Sequence, residues 1–379
     1  MENLCDALID EILSRLRLKS AVMCKSISKR FNTLISAPQF VNKLTLRKSS
    51  ILHCSYDSPT KYNFNVALYP DEETGFSVKQ LPHPMNRILA YCNGLLLLRR
   101  SKQSVLVLNP VTKRSQVIEH QQFPGEALGL AVEPISSSLQ QYKVIYTYEY
   151  RKDVYRFRIF SSDTMSSKTS MTELSCIGSK FYDSALPVYS HGSLHWLRNC
   201  GDIVAFDVEK EVARIIKLPT DFPLPFSYAK SRFGELKGLL TLISTSGEEI
   251  LVWILNDNKK GEWVVKTRIT NVIDWEWPIR IPIFYDGEIL VLHQRQRGDE
   301  GELRMYDIVA DKWRKFGVVE GKMDNVQDFV PFVPSIAEIK TTTDHFYFQS
   351  SAFLHVRQSI EDFMIEEWYP RAIYANRRL

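Results

Sequence analysis

Two of the eight histidines and the six cysteines are the first candidates for metal or nucleophilic chemistry in this chain, because the other six histidines are isolated in the sequence. His191 and His195 are four residues apart, the spacing at which a helix presents two imidazoles to one metal ion. Their context, Ser-His-Gly-Ser-Leu-His-Trp, is typical of a strand, and no glutamate completes an H-E-x-x-H motif. The cysteines form no C-x-x-C pair and predict neither a zinc site nor a disulfide framework. We therefore predict no metal and no cofactor.

Motifs of the common catalytic folds are also missing from the sequence. It contains no G-x-S-x-G elbow, no G-x-x-x-x-G-K-[ST] phosphate loop and no G-x-G-x-x-G fingerprint. A kelch-type copper oxidase would need a reactive tyrosine beside a cysteine and clustered histidines, and no motif proposes such a set. We nominate no catalytic residue and keep a propeller enzyme only as a remote alternative.

The first forty residues predict three short helices. Apolar residues recur at positions 4, 8, 9, 12, 13 and 16, with acidic residues and Arg15 opposite them, as in an amphipathic helix. A second short helix is predicted from Ser20 to Lys25. A third should start at Ser28 as its cap, run to Ile35 and stop at Ala37-Pro38. Such a small unit cannot bury a self-sufficient core and should need a partner.

These residues, continued by Cys24-Lys25-Ser26-Ile27-Ser28-Lys29-Arg30-Phe31 and Pro38-Gln39-Phe40, resemble a plant-type F-box. The resemblance implies docking onto a Skp-type adaptor and, through it, onto the cullin and RING subunits of a ubiquitin ligase. Cys5 and Arg17 stand where the family usually has prolines, and Phe31 replaces a tryptophan. The adaptor-binding residues that we predict are Leu4, Cys5, Leu8, Ile9, Ile12, Leu13, Leu16, Lys29 and Phe31.

Charge is concentrated at the start of the chain. Residues 1–50 hold nine Lys/Arg and four Asp/Glu, whereas the remainder holds 39 and 40. The cations are scattered and lack interleaved stacking aromatics, so an acidic protein partner is favoured over nucleic acid. No apolar run resembles a signal peptide or a membrane span. We expect a protein of the cytoplasm, the nucleus or both.

From Ser50 onward short apolar runs separated by turn residues predict β-strands. Units that begin with a glycine turn and contain two apolar strands repeat at Gly94, Gly192, Gly238 and Gly287, and another unit should lie between Pro124 and Ser170. A period near fifty residues is typical of kelch-like propeller blades. We predict about six blades, the last formed by pairing residues 44–83 with residues 328–348.

Several ordered strings also resemble the F-box-associated domain of plant F-box proteins, among them Cys92-Asn93-Gly94-Leu95-Leu96, Leu108-Asn109-Pro110-Val111-Thr112 and His191-Gly192-Ser193-Leu194-His195-Trp196. The predicted organisation is an F-box over 1–40, a hinge over 41–50, a mainly β, kelch-like propeller over 51–358 and a helical tail over 359–379. Trp275, Trp277 and Arg280 flank or occupy a predicted inter-blade loop with the composition of an interface anchor.

The resemblance implies a non-catalytic substrate receptor of an SCF-type ubiquitin ligase, which captures an unknown protein substrate through its propeller. An F-box scaffold or competitor that uses the adaptor outside a ligase stays open as an alternative, because of Cys5 and Arg17.

Overall fold

A computed structural model describes most of the chain in separate stretches. These are residues 4–16, 24–45, 50–58, 61–67, 88–100, 103–109, 114–119, 127–133, 139–181, 185–223, 231–245, 249–258, 260–270, 279–295, 301–319, 328–333 and 335–341. The predicted tail helix over 359–379, the tryptophans Trp275 and Trp277, and all but Cys24 and Lys25 of the predicted second helix lie outside these residues. No helix among the described residues is long and apolar enough to cross a membrane.

Among the described residues three helices precede the strands: α1 (Asp6–Arg15), α2 (Lys29–Ser36) and α3 (Pro38–Thr45). We call the described part of residues 4–45 the helical module. The backbone N–H of Phe31 donates to Ser28 Oγ at 3.2 Å, which confirms Ser28 as the cap of α2. Pro38 follows the end of α2 as predicted but also opens α3, which was not predicted. Proline suits the first position of a helix because no intrahelical bond needs its missing N–H. The predicted hinge therefore begins inside a helix.

The rest of the described chain is β-structure. It starts with β1 (Ser50–Ser58) and β2 (Lys61–Ala67). The first blade contains β3 (Ile88–Cys92), β4 (Leu95–Arg99), β5 (Ser104–Asn109) and β6 (Arg114–Glu119). The second contains β7 (Ala127–Val132), β9 (Tyr142–Arg151), β10 (Val154–Ser161) and β11 (Ser166–Ser175), and the two-residue β8 (Leu139–Gln140) precedes β9.

Three further blades follow. The third contains β12 (Val188–Ser190), β13 (Ser193–Leu197), β14 (Ile203–Asp207) and β15 (Val212–Ile216). The fourth contains β16 (Ser231–Leu236), β17 (Leu239–Thr245), β18 (Ile250–Asp257) and β19 (Glu262–Ile269). The fifth contains β20 (Ile279–Tyr285), β21 (Ile289–Arg295), β22 (Gly301–Asp307) and β23 (Lys312–Val319). The described chain ends with β24 (Asp328–Phe332) and β25 (Glu338–Ile339).

Tight turns join the first two strands of the first and third blades. In the Asn93-Gly94 turn both residues have positive φ, 42° and 81°, as they do in the His191-Gly192 turn, 48° and 71°. This backbone geometry matches the right-handed twist of antiparallel strands and favours Asn-Gly and X-Gly sequences. Strands within each blade are antiparallel, so the Asn93-Gly94 turn and the 198–202 connection lie on opposite faces of the ring. We call these the near face and the far face.

The apolar cores lie between neighbouring blades. Leu95 and Val107 of the first blade pack with Leu130 and Val144 of the second. Comparable clusters join the second blade to the third, the third to the fourth and the fourth to the fifth. A strand alternates its side chains between two faces, so a blade buried on both faces needs a neighbour on each side. The repeated units therefore stack around a ring, as the glycine-strand pattern predicted.

The ring is joined by a sheet that combines both ends of the β-region. Strand β1 pairs with β24 in a register that runs from Ser50 opposite Phe332 to Cys54 opposite Asp328, which confirms the predicted pairing of first and last segments. Strand β2 extends this closing sheet to three strands, and β24 contacts β20 of the fifth blade.

The predicted count of about six blades was too high. Within the described residues five sheets have four strands and the closing sheet has three. The prediction treated the closing sheet as a complete sixth blade, but the described parts of both chain ends supply only β1, β2 and β24.

Candidate functional site

Helix α1 has two apolar faces, one of which is buried and the other exposed. Ile9 and Leu13 are each only 3% exposed, and they form one core with Phe31 and Ile35 of α2. Leu8 and Ile12 are 52% and 49% exposed, although each directly precedes a buried residue of the same helix. An exposed pair of large aliphatic side chains one turn apart on a helix is an unsatisfied apolar surface.

Cys5, Leu8 and Ile12 lie at positions i, i+3 and i+7, so they share one side of α1, and we call them the exposed stripe. Cys5 is exposed and is the N-cap of α1, but its side chain makes no capping hydrogen bond. Ile27, in the connection that precedes α2, is 61% exposed and is a further apolar group of the helical module that sequence reasoning did not nominate.

Ion pairs hold the other sides of α1. Arg30 of α2 pairs with Asp6 at 2.6 Å and also donates to the carbonyl of Leu4 at 2.6 Å. Lys43 of α3 contacts Asp10 at 3.0 Å and Glu11 at 2.9 Å. The hydrogen bond to Glu11 is the main cause that raises the pKa of Lys43, and the same bond lowers the pKa of Glu11. Exposed pairs contribute little stability, but these fix which side of α1 stays free.

The structure separates the predicted adaptor-binding residues into two groups. Cys5, Leu8, Ile12 and Lys29 are exposed and accessible to a partner. The others belong to the internal core or pack against it: Ile9, Leu13 and Phe31 are buried, and Leu4 and Leu16 are partly buried against the same cluster.

Arg280, which we predicted as a substrate contact, lies in the inner strand β20 and is only 7% exposed. Thr245 Oγ1 donates to its carbonyl at 3.0 Å, which places Arg280 in contact with the fourth blade. We do not retain Arg280 as a surface anchor. Trp275 and Trp277 lie outside the described residues, and their role stays a prediction.

The two histidines that could have shared a metal lie in different environments. His191 is exposed in a turn with positive φ, and its Nδ1 is 3.2 Å from Ser190 Oγ. His195 is fully buried in β13, and its Nδ1–H donates to the carbonyl of Val188 at 3.2 Å. Among the described residues no group of three histidine, cysteine, aspartate or glutamate side chains could hold a metal ion.

His195 makes stability depend on pH. Burial is the main cause that lowers its pKa from 6.5 to about 4, because the charged imidazolium would lose its hydration. The unfolded chain therefore binds a proton at higher pH than the folded chain. The free energy of unfolding is therefore not lowered by this group above about pH 6.5, and it decreases as the pH falls toward 4, by about 3 kcal/mol in total.

We expect His195→Gln to flatten the loss of unfolding free energy between pH 7 and pH 4.5, as measured by urea denaturation at several pH values. His191→Gln, which makes the same substitution at an exposed histidine in the same blade, is the matched control. An unchanged slope in His195→Gln would show that other groups cause the acid sensitivity.

Fold and site together define a small helical module with an exposed apolar stripe, mounted on a β-propeller. Residues 1–43 match the F-box domain, and residues 43–346 match the F-box associated beta propeller domain. This chain therefore belongs to the family of F-box proteins that carry an F-box-associated β-propeller domain.

Its relatives include several proteins of Arabidopsis thaliana. At1g20790, provisionally named an F-box/kelch-repeat protein, is 32% identical over 88% of this chain and 77% of its own length. At1g20795, provisionally named an F-box protein, is 31% identical over 86% of this chain and 84% of its own. F-box protein At1g20360 is 30% identical over 70% of this chain and 91% of its own.

Proposed function

We propose that this protein is the substrate-receptor subunit of an SCF-type, cullin-RING ubiquitin ligase. In this role the exposed stripe binds a Skp-type adaptor, the adaptor links to cullin and RING subunits, and the propeller holds a protein substrate. The observation that carries the proposal is the half-exposure of Leu8 and Ile12 on a helix whose other apolar face is fully packed. Membership of the F-box family supports the identity of the partner.

The proposed mechanism is proximity rather than catalysis by this chain. Holding adaptor and substrate on one protein gives a substrate lysine a high effective concentration near the ubiquitin that the ligase carries. In this proposal the chain positions the substrate, and the other subunits carry out the covalent transfer of ubiquitin. We place this activity in the cytoplasm, the nucleus or both.

We assign substrate capture to the far face of the propeller. The helical module shares its core with Ile336 and Ala337, and these residues lie beside the near-face Asn109. Strand β19 ends at Ile269 on the far face, and β20 starts at Ile279 on the same face. Trp275 and Trp277 lie between these two positions in the sequence. A substrate at that face would lie away from the described F-box helices.

The double substitution Leu8→Asp with Ile12→Asp tests adaptor binding. We expect the affinity for a purified Skp-type adaptor, measured by titration calorimetry, to fall about a hundredfold or more, since two aliphatic anchors leave the interface. The melting temperature should change little because both side chains are half exposed.

Matched controls are Ile177→Asp on the far face and Val309→Asp on the near face, whose apolar side chains are 81% and 85% exposed. Both should bind the adaptor as the wild type does. Failure of the wild type to bind would refute the receptor proposal. If the chain binds the adaptor but the reconstituted ligase transfers ubiquitin to no protein that the propeller binds, a scaffold or competitor role would be favoured instead.

A further inference from the structure

We propose that residues 335–341, here called the strap, complete the core of the F-box and fix its orientation on the propeller. The strap follows β24 and contains β25. From the sequence, these residues were placed in the segment 328–348 that was predicted to close the ring, and not in the core of the F-box. The inference goes beyond the proposed function, and only the adaptor arm of its test rests on that function.

On one side the strap packs into the helical module. Ile336 and Ala337 are 2% and 3% exposed and belong to the same apolar cluster as Ile9, Leu13, Phe31, Ile35, Phe40 and Val41. A module of about forty residues is too small to bury a sufficient core alone. The strap supplies two of the missing apolar side chains from a point in the chain almost three hundred residues later.

On the other side the strap is held by Asn109, at the near-face end of β5. Asn109 is fully buried, and its Nδ2 donates to the carbonyl of Ser335 at 3.0 Å and to that of Ala337 at 2.8 Å. One amide group thus satisfies two backbone acceptors on either side of Ile336. Buried acceptors are costly to leave unpaired, so these bonds select one path for the strap.

The end of the strap joins the first and second blades. Strand β25 pairs in parallel with β8, Glu338 opposite Leu139 and Ile339 opposite Gln140. Ile339 is buried in the core between these two blades. Lys340 Nζ donates to the carbonyl of Asp163 in the second blade at 2.6 Å.

Electrostatics also relate the helical module to the strap. Burial lowers the pKa of the Lys25 ammonium, and the nearby Glu338 carboxylate partly offsets this effect.

The side-chain contacts change partner once along the strap. Ile336 and Ala337 face the F-box, whereas Ile339 and Lys340 contact the blades. Rotation of the F-box on the propeller would pull residues from one partner or the other. The strap therefore makes F-box and propeller one rigid unit, and the exposed stripe keeps a fixed position relative to the far face.

Two substitutions disrupt the contacts of the strap, one on its F-box side and one on its propeller side. Ile336→Asp places a charge in the F-box core, and Asn109→Ala removes both hydrogen bonds on the propeller. The matched controls are Ile177→Asp, the same change on the exposed far face, and Asn199→Ala. Asn199 Oδ1 accepts hydrogen bonds from Ser179 Oγ at 2.6 Å and from the Lys180 N–H at 3.2 Å, also on the far face.

The readout is hydrogen exchange of the intact chain, compared between α2 and the central strands β13 and β17. We expect Ile336→Asp and Asn109→Ala to speed exchange in α2 by about tenfold or more, as loss of one buried aliphatic contact predicts, with β13 and β17 unchanged. Small-angle scattering should show a larger maximum dimension, and adaptor affinity should fall. The controls should match the wild type in every measurement.

Faster exchange in the strap with unchanged exchange in α2 would overturn the proposal, since the F-box would then be complete without it. Equal acceleration of α2, β13 and β17 would overturn it too, because the effect would be global unfolding. A wild type that binds no adaptor would refute the receptor function, while the exchange and scattering results would still decide the role of the strap.

Discussion

A chain that ends at residue 325 is expected to yield no cooperatively melting β domain, and a chain that ends at residue 346, which keeps all the described strands, is its control. The first truncation removes β24, which pairs with β1 and contacts β20. Val330 of β24 is fully buried, and Ile51 of β1 packs into the core of the fifth blade. Without β24 that core is exposed to water on one side and β1 loses a ladder of hydrogen bonds.

A third truncation separates ring closure from the strap. A chain that ends at residue 334 keeps β24 but lacks residues 335–341, and we expect its propeller to melt cooperatively while its F-box loses protection. Circular dichroism during heating and elution volume on a sizing column would measure both effects. A monomeric, cooperatively melting product from the 325 truncation would show that the five four-stranded blades are stable as an open array.

Gly94→Ala is expected to destabilise the protein by about 2 to 5 kcal/mol, since it combines backbone strain with overpacking. Gly94 has a φ of +81°, and an added Cβ would lie 2.5 Å from Ser335 Cβ and 2.8 Å from both the Ser335 N and the Val333 carbonyl oxygen. Two of these atoms are backbone, so no rotamer change relieves the contact. The chain that leads from β24 into the strap would have to move.

Gly192→Ala isolates the backbone part of this effect. Gly192 occupies the same place in the third blade, with a φ of +71°, and nothing lies within 4 Å of an added Cβ. We expect a loss of about 1 kcal/mol there. Urea denaturation of both variants gives the difference, and equal losses would mean that the Gly94 turn and the residues around Ser335 are not tightly packed.

The glycine turns also explain why so much of the ring was predictable. In the first, third, fourth and fifth blades a glycine turn joins the first two strands, and apolar runs lie on both sides of it. These signals are local, so Gly94, Gly192 and Gly238 could be aligned without a structure. The number of complete blades was wrong because it depends on how many strands the two chain ends contribute, which no local pattern records.

The candidate site was predictable only in part for a related reason. Periodicity identified every apolar position of α1, but it does not state which ones an internal neighbour will cover. Leu8 and Ile9 are adjacent and chemically alike, yet one is exposed and the other is buried. That division depends on where Phe31, Ile35 and Ile336 pack. Ile336 comes from the far end of the β-region, beyond the reach of any sequence window.

The closing sheet also affects how the chain can fold during its synthesis on the ribosome. Its partners β1 and β24 are separated by most of the chain, and so are the F-box core and Ile336. At roughly 5 to 20 residues per second, a ribosome needs on the order of a quarter of a minute to one minute to make the chain between them. Throughout that time the emerging F-box and first strands lack their partners. Until β24 and the strap have been synthesised, the apolar surfaces that they cover stay exposed, and the nascent chain is then most prone to aggregation.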